Sequence, residues 1–123
     1  MEFQRDKSFF SGRFKSMGFA LKGAIKLATT EHSVMVQSCI ALFLIVAGFY
    51  FEITKEEWMF QTLAIGLVLA VEGLNTAVEK TADFIHPEFH EKIGFIKDIA
   101  AGAVFFAAMT AIAIGCIIYI PKF

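Results

Sequence analysis

The block of residues 99–120 constrains the fold most, because it runs for 22 positions without a charged side chain. A helix of that length, at about 1.5 Å per residue, crosses a hydrocarbon core of roughly 30 Å. Two further apolar blocks precede it, and 57% of the 123 residues are hydrophobic, more than a soluble domain of this size needs. The sequence therefore predicts an all-α membrane protein with one membrane-embedded domain. The predicted domain covers residues 1–123, with membrane helices at 33–51, 58–85 and 98–120.

The segment before the first span, residues 1–32, is basic and amphipathic. Its apolar residues recur every three or four positions, and its lysines share another face. This pattern is typical of a helix that lies in the membrane–water interface. The alternative, a helix packed on a soluble core, lacks a soluble core in the residues that follow. The apolar positions are Phe10, Phe14, Met17, Leu21, Ala24 and Ala28, and the lysines are Lys15, Lys22 and Lys26.

The basic residues also predict the orientation. Nine of the eleven lysines and arginines precede the first span or lie between the second and third, and only Lys55 and Lys122 fall on the other side. Positive charge favours the cytoplasmic side, so we expect a cytoplasmic N-terminus. Residues 86–97 read as a polar connection on that side, with Pro87 and Gly94 as breakers.

The end of the second apolar block carries Glu72, Asn75, Glu79 and Asp83. At about 100° per residue these four side chains share a stripe roughly 80° wide on one helix. Fourteen residues separate the start of the block at Trp58 from Glu72. That is about 21 Å of helix, which places Glu72 beyond the bilayer centre. We expect the carboxylate stripe to descend from lipid depth to the cytosol.

Several functions fit such a stripe. The carboxylates could simply reach water at a helix end, which is a credible reading for Asp83, but an ionisable group at the depth of Glu72 is costly and usually functional. One functional class is a proton- or cation-coupled carrier with Glu72 as relay. Another is chemistry on a lipid headgroup, with carboxylates such as Glu31 holding Mg²⁺. A third is a non-catalytic assembly subunit, since small residues fill the third span.

A nucleotide site of a common type is not indicated, because the sequence contains neither a P-loop nor a G-x-G-x-x-G pattern. Lys97 and Asp98 open the third span on the cytoplasmic side, close to where a polyphosphate would bind. Lys97 also fits an ordinary lysine whose ammonium reaches out to water.

The stretch of residues 72–83 resembles the signature of the prokaryotic diacylglycerol kinase family, which includes undecaprenol kinases. Residues 87–90 and 97–104 resemble the segments that follow it, in the same order. The resemblance covers about residues 13 to 119. It implies a homotrimeric enzyme of the bacterial cytoplasmic membrane with shared active sites, whose protomers have a surface helix and three spans. It further implies transfer of the γ-phosphoryl group of Mg²⁺-bound ATP to a membrane lipid alcohol.

The resemblance also implies roles for individual residues. Glu72 matches the general base, and Asn75 matches a residue that orders the site. Glu31 and Glu79 match the metal ligands, which hold Mg²⁺ against the nucleotide. The remaining nucleotide contacts would be Arg13, which lies near the position of an N-terminal nucleotide-binding arginine, and Glu88, Phe89, His90, Lys97 and Asp98.

The expected activity is phosphorylation of diacylglycerol to phosphatidic acid, with undecaprenol as the alternative acceptor. The run of residues 97–103 looks closer to the undecaprenol kinase branch. Phe19 departs from the family, since some diacylglycerol kinases carry a nucleotide-contacting tyrosine there. We expect no nucleic-acid partner.

Overall fold

The computed structural model describes residues 9–123 and contains no strand within them. Three segments, His32–Tyr50, Lys55–Ile85 and Glu91–Lys122, are long and apolar enough to cross a membrane. The prediction of an all-α protein with three candidate spans is therefore confirmed. Residues 1–8 of the predicted amphipathic segment lie outside the described residues. The helices are α1 (Phe9–Thr30), α2 (His32–Tyr50), α3 (Lys55–Ile85) and α4 (Glu91–Tyr119), and a 3₁₀ turn follows at Ile120–Lys122.

A single extended residue separates α1 from α2. Glu31 has φ −100° and ψ 120°, so the helical hydrogen-bond pattern stops there and restarts at His32. The apolar side chains Phe10, Phe14 and Met17 are exposed on α1. No part of the described chain covers them, as an interfacial helix requires if lipid is to cover that face.

The turn between α2 and α3 is tight and well capped. Glu52 adopts the left-handed region with φ 51°. The Thr54 hydroxyl accepts a hydrogen bond from the Glu57 backbone N–H at 3.1 Å. In return, the Thr54 backbone N–H donates to the Glu57 carboxylate at 2.9 Å. This capping box satisfies N–H groups that the first helical turn would otherwise leave unpaired. The indole of Trp58 then packs directly on Gly48, which fixes α2 against α3.

Helix α3 is the central element and packs most extensively on α4. Its 31 residues make about 46 Å of helix, longer than the roughly 30 Å hydrocarbon core, so one or both of its ends must leave the membrane. Its buried residues include Ala64, Val68 and Ala82, and α4 in turn buries Ala107 and Ile118. Small side chains at the contact allow the two helices to approach closely.

The end of the bundle opposite the carboxylate stripe is held by polar and aromatic contacts. Buried Gln61 donates from its amide nitrogen to the Leu44 carbonyl at 3.2 Å. Its amide oxygen accepts from the Tyr119 hydroxyl at 2.6 Å. These bonds join all three candidate spans. The Phe51 ring lies 5.4 Å from the ring of Phe123. Such an aromatic cluster suits the headgroup region of a membrane.

Helix α4 begins at Glu91, earlier than the start at residue 98 that the sequence predicts. His90 is its N-cap, accepting from the Lys92 backbone N–H at 3.0 Å, and the helix starts at Glu91. Gly94 lies inside this helix, so the prediction that it breaks the chain is wrong. A single glycine costs a helix only about 1 kcal/mol, which capping and packing on α3 offset. Pro87 does lie in the non-helical connection.

Candidate functional site

The carboxylate stripe begins at buried Glu72 and ends at exposed Glu79 and Asp83. Helix α3 is unbroken across it, as the sequence predicts. The buried residues Gln61, Ala64 and Val68 lie on the same side of α3 as Glu72. The stripe therefore continues the inward face of the span towards its C-terminal end. It passes from buried Glu72 to exposed Glu79.

Glu72 is a buried carboxylate, with only 6% of its surface exposed. Within residues 9–123 no hydrogen bond or ion pair holds its side chain. An unpaired buried carboxylate is expensive in an apolar setting, because it forfeits hydration without gaining a partner. The arrangement suits a group that meets its partner only when a ligand arrives.

Asn75 lies one turn beyond Glu72 and has an unsatisfied acceptor. Its Oδ1 is buried and lacks a hydrogen-bond partner among the described residues. Buried polar atoms in native proteins are nearly always paired, so an orphaned acceptor on this face indicates room for a missing donor. Thr76, also buried, donates its hydroxyl to the Glu72 carbonyl at 3.1 Å.

Glu31 reaches α3 across the α1–α2 break. Its Oε2 lies 3.6 Å from the ammonium nitrogen of Lys80, whose side chain is 69% exposed. Between α1 and α3 runs a groove of about 700 Å³, with Glu31 and Lys80 among its lining residues. Its walls are mainly apolar, and Gly73 and Thr76 contribute to them. The groove thus combines apolar walls with charged side chains.

The C-terminal part of α3 and the N-terminal part of α4 are joined by an ion pair. The Lys97 ammonium donates to Asp83 Oδ1 at 2.7 Å. Lys97 is therefore not a free lysine extended into water, but is held against the carboxylate stripe. Asp98, its neighbour, is exposed. Sequence reasoning left Asp83 without a defined role, and the contact with Lys97 supplies one.

The connection between the same two helices is compact. Nδ1 of His86 lies 2.7 Å from the Glu88 carbonyl oxygen. The rings of His86 and His90 are 5.5 Å apart. Phe89 is almost fully exposed and lies beside Gly94. The residues predicted to contact a nucleoside, Glu88, Phe89 and His90, are therefore adjacent to the Asp83–Lys97 pair in the chain and open to solvent.

Arg13 is placed at the opposite end of α1. Its guanidinium lies 5.2 Å from the centre of the Phe9 ring, one turn earlier on the same helix. Eighteen residues of chain, or about 27 Å of helix, separate it from Glu31. Within one chain, the structure does not bring Arg13 to the other predicted nucleotide contacts.

The donor set fits a small hard cation. Across the described part of the chain, no three His, Cys, Asp or Glu side chains group closely enough to enclose a metal ion. Mg²⁺, however, is commonly held by only one or two carboxylates together with substrate phosphates. Glu31 and Glu79 are carboxylates of the kind such a site uses, and Asn75 Oδ1 is a buried acceptor without a partner among the described residues.

Several site features could not be singled out from the sequence. Thr76 shares the stripe face with Glu72, and that spacing was the only available signal. Lys80 and Gly73 line the groove because α1 lies beside this part of α3, which no spacing within α3 indicates. The pairing of Asp83 with Lys97 depends on the register of α3 against α4.

Fold and site together define a multi-pass α-helical membrane protein with a group of carboxylates near the C-terminal end of α3. The comparisons with known proteins name the family. Residues 18–119 match the family model for prokaryotic diacylglycerol kinase. The chain therefore belongs to the prokaryotic diacylglycerol kinase family, and the recognition made from its motifs is confirmed.

Individual relatives carry two activities in their names. The chain is 38% identical over 109 residues to the undecaprenol kinase of Bacillus subtilis, with 89% of each chain covered. It is 28% identical over 109 residues to the diacylglycerol kinase of Escherichia coli K12, again with 89% of each covered. It is 37% identical over 95 residues to the diacylglycerol kinase of Helicobacter pylori 26695, covering 76% of this chain and 73% of that one. The expectation of a lipid kinase is confirmed at the level of the family.

Proposed function

We propose that this protein is an ATP-dependent lipid kinase that phosphorylates the hydroxyl of a membrane lipid alcohol. The observation that carries the proposal is Glu72, a buried carboxylate with no partner in the described chain, on the inward face of a membrane helix. The apolar groove between α1 and α3 offers a place for lipid chains beside it. The family and its named relatives supply the type of reaction.

In the proposed reaction, Glu72 and Asn75 of α3 act on the lipid hydroxyl and the bound substrate. Glu72 takes the proton of the lipid hydroxyl, whose oxygen then bonds to the γ-phosphorus of ATP. The bond from that phosphorus to the bridging oxygen breaks, and ADP leaves with the electron pair. A base in contact with the hydroxyl typically accelerates such a step about 10²- to 10⁴-fold. Asn75 would accept a hydrogen bond from the bound substrate, since its Oδ1 is otherwise unpaired.

The charge of the polyphosphate is offset by residues further along the stripe. Glu31 and Glu79 would hold Mg²⁺, which neutralises the charge that develops on the phosphate oxygens. Lys97 would add its ammonium from α4. Glu88, Phe89, His90 and Asp98 would contact the nucleoside from the exposed connection.

We also propose a homotrimer in the bacterial cytoplasmic membrane, with the N-terminus in the cytoplasm. Nine of eleven basic residues on one side support the orientation. Arg13 supports a site shared between chains, because about 27 Å of helix separates it from Glu31 of its own chain. An arginine contact with the nucleotide fits a neighbouring subunit better than the same one.

Two acceptors are candidates. Diacylglycerol is the acceptor in the names of the E. coli and H. pylori relatives. Undecaprenol is favoured by the 38% identity to the B. subtilis undecaprenol kinase, over 89% of both chains. Both molecules present one hydroxyl at the headgroup depth, so the same base and groove serve either.

The test uses the purified protein in mixed micelles with γ-labelled ATP and Mg²⁺. Diacylglycerol and undecaprenol are offered separately and then together. Label in an organic-soluble product is the expected result, and competition between the acceptors shows which is preferred. Absence of lipid-bound label with both would contradict the proposal. Ion flux in proteoliposomes without ATP would then support a carrier, and inactivity in both assays an assembly subunit.

A further inference from the structure

The Asp83–Lys97 contact links the carboxylate stripe on α3 to the start of the third span. Lys97 Nζ lies 2.7 Å from Asp83 Oδ1, which is a short charge-assisted hydrogen bond. Asp83 follows Glu79 by one turn on the same face, about 6 Å further along the helix. The pair therefore places a cation from α4 on the carboxylate face of α3.

Stability alone is a weak reason for this pair. The Asp83 side chain is 60% exposed and that of Lys97 is 35% exposed. Ion pairs as exposed as this contribute little to folding, because water screens them and holding two flexible chains opposes the gain. The ends of α3 and α4 are in any case joined by a short connection, and His90 caps the start of α4.

We propose that Asp83 is a positioning residue for the kinase reaction, holding the Lys97 ammonium where the ATP phosphates bind. This inference rests on the proposed function. A free lysine samples many rotamers, and the anchor removes that freedom before the nucleotide arrives. An ammonium has three N–H donors. One is used by Asp83, and two remain for phosphate oxygens.

The other charged groups nearby fit this arrangement. Glu79 is one turn away on α3, and Asp98 is the next residue on α4. Both are exposed carboxylates that could draw the Lys97 ammonium elsewhere if Asp83 were neutral. Lys80, the nearest lysine on α3, is directed to Glu31 instead. Asp83 thus fixes which carboxylate holds Lys97.

The experiment compares Asp83→Asn and Asp83→Glu with Lys97→Met and the double variant Asp83→Asn/Lys97→Met. We expect Asp83→Asn to raise KM for Mg²⁺-ATP by about three- to tenfold. The KM for lipid and the thermal stability in micelles should stay at the wild-type level. Asp83→Glu keeps the negative charge and should recover most of the ATP affinity. In the Lys97→Met background, Asp83→Asn should have no further effect, because the residue acts through Lys97.

Binding of a non-hydrolysable ATP analogue, measured by calorimetry, gives a readout that does not depend on turnover, and it should weaken in parallel with KM. An unchanged ATP affinity in Asp83→Asn would overturn the inference while leaving the kinase function intact. The inference would also be overturned if Asp83→Asn weakened ATP affinity, lipid affinity and thermal stability to the same extent. Additive effects of Asp83→Asn and Lys97→Met on ATP affinity would overturn it as well. If Asp83→Asn fails to assemble, Asp83→Glu and Lys97→Met decide: normal ATP affinity in Lys97→Met would overturn the inference. Absence of lipid phosphorylation by the wild-type protein would instead overturn the proposed function, and this inference with it.

Discussion

Gly48 and Trp58 set the register of α2 against α3, and replacing the glycine should disturb it. A Cβ placed on Gly48 would lie 2.6 Å from Cη2 and 2.7 Å from Cζ2 of the Trp58 indole. It would also lie 3.2 Å from Cδ1 of Ile53. Carbon atoms attract optimally at about 3.5–4.0 Å, so the indole must move by roughly 1 Å or the helices must separate.

The magnitude follows from two opposing effects. Overpacking of a well-filled site costs typically about 1–3 kcal/mol. Alanine in place of glycine inside a helix returns up to about 1 kcal/mol through helix propensity. We therefore expect Gly48→Ala to lower the free energy of unfolding by about 1–2 kcal/mol. Gly66→Ala is the matched control, because a Cβ on Gly66 meets nothing within 4 Å. It should be neutral or stabilising.

Reversible unfolding in mixed micelles, titrated with a denaturing detergent, measures both variants. The double variant Gly48→Ala/Trp58→Leu tests the cause, since a smaller side chain at position 58 leaves room for the new methyl group. The effects of Gly48→Ala and Trp58→Leu on the free energy of unfolding should then be non-additive, as expected for residues in contact. Equal stability of Gly48→Ala and Gly66→Ala would refute the packing argument, and so would strict additivity with Trp58→Leu.

Three further substitutions test other parts of the structure. Gln61→Leu removes two interhelical hydrogen bonds and should destabilise the bundle by about 1 kcal/mol in the same unfolding assay; a neutral result would show that the bonds do not matter. Gly73→Val should lower kinase activity at least about tenfold, because a Cβ added at Gly73 would lie 3.0 Å from Cδ1 of Leu27, and the larger valine side chain would push α1 away from the base. Gly66→Val should retain activity, and equal activity of the two variants would contradict this. Lys80→Met removes the ion pair with Glu31, a predicted metal ligand. It should therefore lower the Mg²⁺ concentration that gives half-maximal activity by about two- to threefold. An unchanged Mg²⁺ titration would show that the ion pair does not compete with the metal.

Much of the fold could be predicted because the governing signals are local. The three apolar blocks reveal the candidate spans, and the helical spacing of Glu72, Asn75 and Glu79 reveals the stripe. Both depend only on residue type and on helix geometry. The early start of α4 was missed, since the residues from Glu91 to Lys97 are too polar to read as part of an apolar helix. A histidine N-cap begins the helix there.

The contacts between helices could not be predicted in the same way. The bond from Gln61 to Tyr119 joins residues 58 positions apart, and that from Lys97 to Asp83 crosses a connection between two helices. Each depends on how far one helix slides along its neighbour, which sequence spacing within one helix does not determine. The motif indicated which residues matter, whereas the packing shows which of them meet.

The most direct test of the catalytic role of the stripe is phosphoryl transfer by Glu72→Gln. Glu56→Gln, an exposed change near the opposite end of α3, is the control. In mixed micelles with labelled ATP and lipid acceptor, Glu72→Gln should lose about 10²- to 10⁴-fold in turnover, while its assembly and the activity of Glu56→Gln remain normal. Near-wild-type turnover by correctly assembled Glu72→Gln would contradict the assignment of Glu72 as the base.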